Sequence, residues 1–143
     1  MALLYWVYED YFIFKPYFNG SISDFIHVIK QYDKLIFSNY QNFDLVIKNE
    51  LFGHNCHKDA SCSKFNKPLL NELDELANLK ELTFGWYFNH PLANSLDKLI
   101  NLKQLIFGYS FNKPLSNSLD QLINLEKIIF GTCFNQLLDN SLL

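Results

Sequence analysis

"FNHPLANSLDKLINLKQLIFGYS", residues 88–110, is followed at once by "FNKPLSNSLDQLINLEKIIFGTC", residues 111–133. The second stretch repeats the first with few changes, and together they set a period of 23 residues. "FN" marks the period at Phe65, Phe88, Phe111 and Phe134. Apolar residues keep the register: Leu92, Leu96, Leu99, Leu102, Leu105 and Phe107 return as Leu115, Leu119, Leu122, Leu125, Ile128 and Phe130. A fixed period of this length belongs to architectures in which each unit buries its apolar face against its neighbours.

Each unit mixes two spacings. "LKELTF", residues 79–84, ends with apolar residues two apart, the alternation of a strand with Leu82 and Phe84 inward. "SLDKLINL", residues 95–102, has apolar residues three apart, which predicts a helical turn. Ser95 and Ser118 would then stand as N-caps, with Asp97 and Asp120 in the first turn. One strand and one short helical segment per unit predict an α/β, leucine-rich-repeat-like solenoid whose strands form a parallel sheet.

Working outward, "FNGSISDFIHVIKQYDKLIFSNY", residues 18–40, sets Phe18, Ile22, Ile26, Ile29, Leu35 and Phe37 on the same columns. "YFIFKPYFN" before it aligns with "QLIFGYSFN", so a first strand is expected near Phe12–Phe14. Residues 41–64 keep Asn42 and Leu45 but then lose the pattern. The expected organisation is one domain over 1–143: an amino-terminal cap and degenerate repeat (1–40), a degenerate repeat with an inserted loop (41–64), and regular repeats with the last one truncated (65–143).

Two asparagine columns recur as well. Asn89, Asn112 and Asn135 follow the repeat phenylalanine, while Asn78, Asn101 and Asn124 precede the strand. Chain corners leave backbone groups outside any ladder, and a side-chain amide both donates and accepts, so these asparagines are expected to be structural.

Composition narrows the function. A hydrophobic fraction of 49% and an aromatic fraction of 17% exclude a disordered chain. A net charge of -3, with lysine supplying every fixed positive side chain, gives no electrostatic case for nucleic acid or for an anionic membrane. "MALLYWVYEDYFIFKPYFN" is broken by Glu9 and Asp10 far short of the roughly 20 residues that span a bilayer, and it lacks a basic leader. Three cysteines, an odd number, without an export signal point to a reducing compartment, so a cytoplasmic location is expected.

"FGWYFNHPL", "FGYSFNKPL" and "FGTCFNQLL" resemble the FNIP repeat, a leucine-rich-repeat relative found in social amoebae and in giant DNA viruses of the mimivirus kind. The resemblance is close from Phe65 to Phe134, weaker from Phe12 to Tyr40 and poor from Gln41 to Lys64. It implies an interaction scaffold without catalytic residues or cofactor, in the host cytosol if the source is viral. Viral members often carry an amino-terminal F-box that recruits a ubiquitin ligase. "MALLYWVYED" is too short and too aromatic for one. The usual proline before "SL" is also missing.

Two candidate sites follow. His54, Cys56, His57 and Cys62 gather zinc-ligand types within nine positions, but adjacent Cys56 and His57 do not form the separated ligand pairs of structural zinc sites. An inserted loop is the better reading, and a small zinc protein or enzyme centred there is the alternative. The other candidate is the strand face turned from the core. There Thr83, Gln104, Ile106, Lys127 and Ile129 alternate with the buried residues, beside Trp86, Tyr87 and Tyr109. Ile13 and Ile36 fall on the isoleucine column, so a solvent-facing apolar row is expected. A concave face of this kind predicts a protein partner, with Trp86 and Tyr109 as anchors. Self-association through the carboxyl-terminal edge strand is a further expectation, and a repeat-family remnant without independent function is the bland alternative.

Overall fold

The computed structural model describes residues 3–51 and 62–138. Within them the chain forms an α/β fold around a six-stranded, mostly parallel sheet whose spatial order follows the chain, β1-β2-β3-β4-β5-β6. β1 (Tyr5–Tyr8) and β2 (Tyr11–Phe14) form an antiparallel hairpin, with Glu9 at φ 52 in its turn. β3 (Lys34–Phe37), β4 (Glu81–Thr83), β5 (Gln104–Ile106) and β6 (Lys127–Ile129) add in parallel. Leu35, Leu82, Leu105 and Ile128 share one register row.

Strands of three or four residues have little stability alone, and the layers on either side hold them in line. Two columns of phenylalanine do most of this. Phe14, Phe37, Phe84, Phe107 and Phe130 stack along the sheet with ring centroids 5.2, 5.8, 5.7 and 5.7 Å apart. Phe18, Phe65, Phe88, Phe111 and Phe134 form the second column at 5.8, 5.9, 6.0 and 6.1 Å. Within a layer one ring from each column also stacks: Phe84 on Phe88 at 4.1 Å and Phe107 on Phe111 at 4.0 Å. Burying each ring contributes roughly 1.5–3 kcal/mol, with about 0.5–1.5 kcal/mol more from each favourable ring pair.

The helical segment expected in every unit is a correction. The unit at 18–40 is helical, with a 3₁₀ turn at Ile22–Phe25 running into α1, Ile26–Ile29. In the regular units the same stretch is a chain of tight turns. Asp97 N–H donates to Asn94 O at 3.2 Å, Leu99 N–H to Leu96 O at 3.0 Å and Leu102 N–H to Leu99 O at 3.0 Å. The reason lies in the spacing: residues three apart eclipse one another in bonds of this type, so Leu96, Leu99 and Leu102 all point inward and are fully buried. An α-helix, at 3.6 residues per turn, would carry them off that line. Ser95 and Ser118 are buried, with no helix behind them to cap.

Of residues 41–64 the structure describes 41–51 and 62–64. The described part contributes no strand, and β3 pairs directly with β4, Lys34 opposite Glu81. Phe37 stacks on Phe65 at 4.4 Å, so these two close one layer across the whole excursion. Asn42 caps α2 (Phe43–Leu45), its side chain accepting from Asp44 N–H at 2.8 Å. It takes no place in the asparagine column. A six-residue wide turn, Val46–Leu51, follows.

Leu105 is fully buried in the middle of the sheet. Leu105→Ala is expected to lower unfolding free energy by about 2–5 kcal/mol in a denaturant titration with an unchanged slope. A loss within error would place Leu105 outside the core.

Candidate binding face of the sheet

The face of the sheet opposite the phenylalanines presents two register rows. Tyr11, Lys34, Glu81, Gln104 and Lys127 form the polar row; Ile13, Ile36, Thr83, Ile106 and Ile129 form the apolar one. The polar row is tied together at its amino-terminal end. Lys34 Nζ stands 3.5 Å from Asp10 Oδ2, 3.7 Å from Glu81 Oε1 and 4.7 Å from the centre of the Tyr11 ring. Burial works to lower the Lys34 pKa, but Glu81, Tyr11 and Asp10 outweigh it and the pKa is raised.

The apolar row is not solvent-facing throughout, which corrects the expectation for two of its members. Ile13 and Ile36 are buried, 0% and 4% exposed, beneath Tyr40 and Val46, with Trp6, Tyr8, Tyr11, Phe43, Leu45 and Leu51 packed around them. Phe43 anchors this second cluster, with its ring 5.6 Å from both Trp6 and Tyr8. From β4 onward the row is less deeply buried: Thr83 and Ile106 are half-buried and Ile129 is 40% exposed.

Past the carboxyl ends of the strands runs a column of glycines. A Cβ on Gly108 would meet Gly85 O at 2.0 Å, and one on Gly131 would meet Gly108 O at 2.1 Å, so the close backbone approach requires glycine. Next to this column Trp86 and Tyr109 stack with centroids 4.4 Å apart and planes 7° from parallel. Tyr87 and Tyr109 are exposed, and Lys64 Nζ lies 5.0 Å over the Tyr87 ring. Trp86 and Tyr109 each follow a glycine of this column, three residues beyond the ends of β4 and β5.

The asparagines hold the corners. Asn19, Asn66, Asn89 and Asn112 each accept on Oδ1 from the backbone N–H of the next in the column, ending at Asn135, at 3.0, 2.9, 2.9 and 2.8 Å. Asn101 donates to Ala77 O and Asn124 to Ile100 O, both at 2.8 Å. Asn78 lies with them along an open groove that also takes in Asp33, Lys80 and Lys103.

His54, Cys56 and His57 lie outside the described residues. Cys62 is half-buried at φ 56, with its N–H donating to Asn39 O at 3.2 Å. Among the described residues no group of three His, Cys, Asp or Glu side chains is placed to hold a metal ion. None of the described helices is long and apolar enough to cross a membrane.

Sequence reasoning missed Asn39 and Glu50. Asn39 Oδ1 accepts from both Ser63 N–H (2.9 Å) and Trp86 N–H (2.8 Å), joining the two ends of the excursion to the next layer. Its own N–H donates to Glu50 Oε1 at 2.8 Å. Glu50 is partly exposed as a residue, but its carboxyl is enclosed and Oε2 has no hydrogen-bond partner among the described residues. Neither residue repeats with the period; a lone acid in "VIKNELF" is the faint signal.

Compared with known proteins, the chain matches no family model, no curated protein and no solved structure. The class that its geometry defines is an α/β protein with a mostly parallel sheet, one face holding the core and the other partly covered.

Burial pushes the Glu50 carboxyl up to about 7 from an ordinary 4.5, against the smaller lowering effects of Asn39 N–H and Ser38. Between those values the folded protein keeps a proton that the unfolded chain has lost. Stability is therefore expected to fall as pH rises from about 4.5 to about 7, then to level off. The loss is on the order of 2–3 kcal/mol. Glu50→Gln should remove that slope in pH-dependent denaturation and be the more stable protein at pH 8. Equal slopes in the two proteins would contradict the burial of this carboxyl.

Proposed function

We propose that this chain is a non-catalytic interaction module of the FNIP, leucine-rich-repeat-like type, a small solenoid that binds a protein partner through the open face of its sheet. The observation that carries the reading is the apolar row itself. The chain covers Ile13 and Ile36 with its own apolar segment, whereas Thr83 and Ile106 are half-buried and Ile129 is exposed, with the Trp86–Tyr109 stack three residues beyond β4 and β5. A row that needs covering on two strands is a surface that apolar partners fit on the other three. Aromatic side chains at its rim supply rigid contact area at little entropic cost, the usual anchors of a protein interface. Gln104 and Lys127, on the polar row, would fix the orientation of the partner without adding much affinity. The 23-residue period, the phenylalanine columns and the asparagine bonds support the repeat-family assignment.

The test is affinity capture from the native cell, with the intact protein and with Trp86→Ala combined with Ile106→Asp. Circular dichroism should show both folded. Partners held by the intact protein are expected to fall at least tenfold with the double variant, since loss of a hot-spot side chain costs about 2 kcal/mol or more. Retention of the same partners at the same level would exclude this face.

A further inference from the structure

The segment over Ile13 and Ile36 differs from the rest of the interior. Its cluster is separate from the main core and small, four buried side chains with partly buried neighbours. Its helical parts are one short turn, Phe43–Leu45, and one wide turn, Val46–Leu51. Such elements hold by packing and by few specific bonds. The bond that ties the far end of this segment back to the sheet runs from Asn39 N–H to Glu50 Oε1 at 2.8 Å. Asn39 in turn is fixed to the β4 side by its bond from Trp86 N–H. The second carboxyl oxygen of Glu50 is enclosed and has no hydrogen-bond partner among the described residues.

We propose that residues 40–51 are a displaceable cover on the sheet face, latched by Glu50 on Asn39, which loosens when the Glu50 carboxyl ionises and so lengthens the open apolar row from three strands to five. Protonated, the carboxyl keeps Oε1 as acceptor and the latch holds. Ionised, it is an enclosed charge with no counter-ion among the described residues, and hydration relieves it when the segment lifts from the face. Among the described residues Lys48 and Asp44 of the cover, and Glu9, Asp10, Tyr8, Tyr11 and Lys34 of the strands below, are not among the groups that act on Glu50; burial, Asn39 N–H and the Ser38 hydroxyl are. The cover is therefore tightest in acid and loosest above neutrality, the change falling between an exposed carboxyl's range and the raised one. Its meaning for binding rests on the docking role proposed above, whereas the opening itself is measured without a partner, so the two ideas fail separately.

Hydrogen exchange of the whole protein, with rates corrected for intrinsic pH dependence, tests it. The opening constant of amides 43–51 should rise on the order of fiftyfold from pH 5 to pH 8, and at each pH it should lie well above that of β4–β6, whose amides open only with the whole fold. Glu50→Gln should abolish the rise. A rise that persists in Glu50→Gln, an opening constant independent of pH, or amides 43–51 that open no more readily than those of β4–β6 at either pH would overturn the proposal. Should Glu50→Gln not fold, Phe43→Ala supplies the check. It thins the cover without touching the latch, so opening should increase at both pH values with their ratio kept. Loss of that ratio would overturn the latch.

Discussion

Two columns of stacked phenylalanines run along the sheet, and the spacing between their rings sets where each layer sits on the next. Each layer carries one ring from each column, and in the regular stretch successive rings of a column are 23 residues apart. The strands, the turns and the asparagine corners satisfy the backbone between them. After Phe37 that spacing is broken by a long excursion, and Phe65 still stacks on the Phe37 ring. The stacking requirement thus survives an insertion that the strand pattern does not accommodate.

That insertion gives the molecule its asymmetry. The regular layers bury one sheet face and leave the other to solvent, as alternation in a half-buried strand dictates. The excursion folds over part of the exposed face and builds a second, smaller core there. Its placement depends on polar groups: Asn39 bridges the excursion's two ends and Glu50 holds Asn39. A buried carboxyl is an expensive way to hold a segment in place, and the cost varies with pH. The covered and uncovered parts of one row are therefore chemically alike but differ in how they are reached.

Much of the layering was legible in the sequence because each constraint recurs: Phe107 and Phe130, Leu105 and Ile128, Asn89 and Asn112 announce one another. The turn type was not, since leucines three apart suit a helical turn and a run of tighter turns equally well until the neighbouring layer fixes the line they face. Alternation placed Ile13 and Ile36 correctly on the face away from the phenylalanines but could not tell what lies over them. Val46 and Phe43 cover them from a segment without a period, and its apolar residues carry no register. Asn39 and Glu50 meet once, eleven positions apart, with no second copy to mark the pair. The histidines of 54–57 lie outside the described residues, and their role was not readable from spacing alone.

Phe37 and Phe65 close a single layer across the excursion, as Phe84 and Phe88 do without one. A double-mutant cycle on Phe37→Leu and Phe65→Leu, set beside the same cycle on Phe84 and Phe88, measures it directly. Both cycles should give a coupling of about 0.5–1.5 kcal/mol. Coupling at Phe84–Phe88 with strict additivity at Phe37–Phe65 would mean that the excursion does not return to the layer it left.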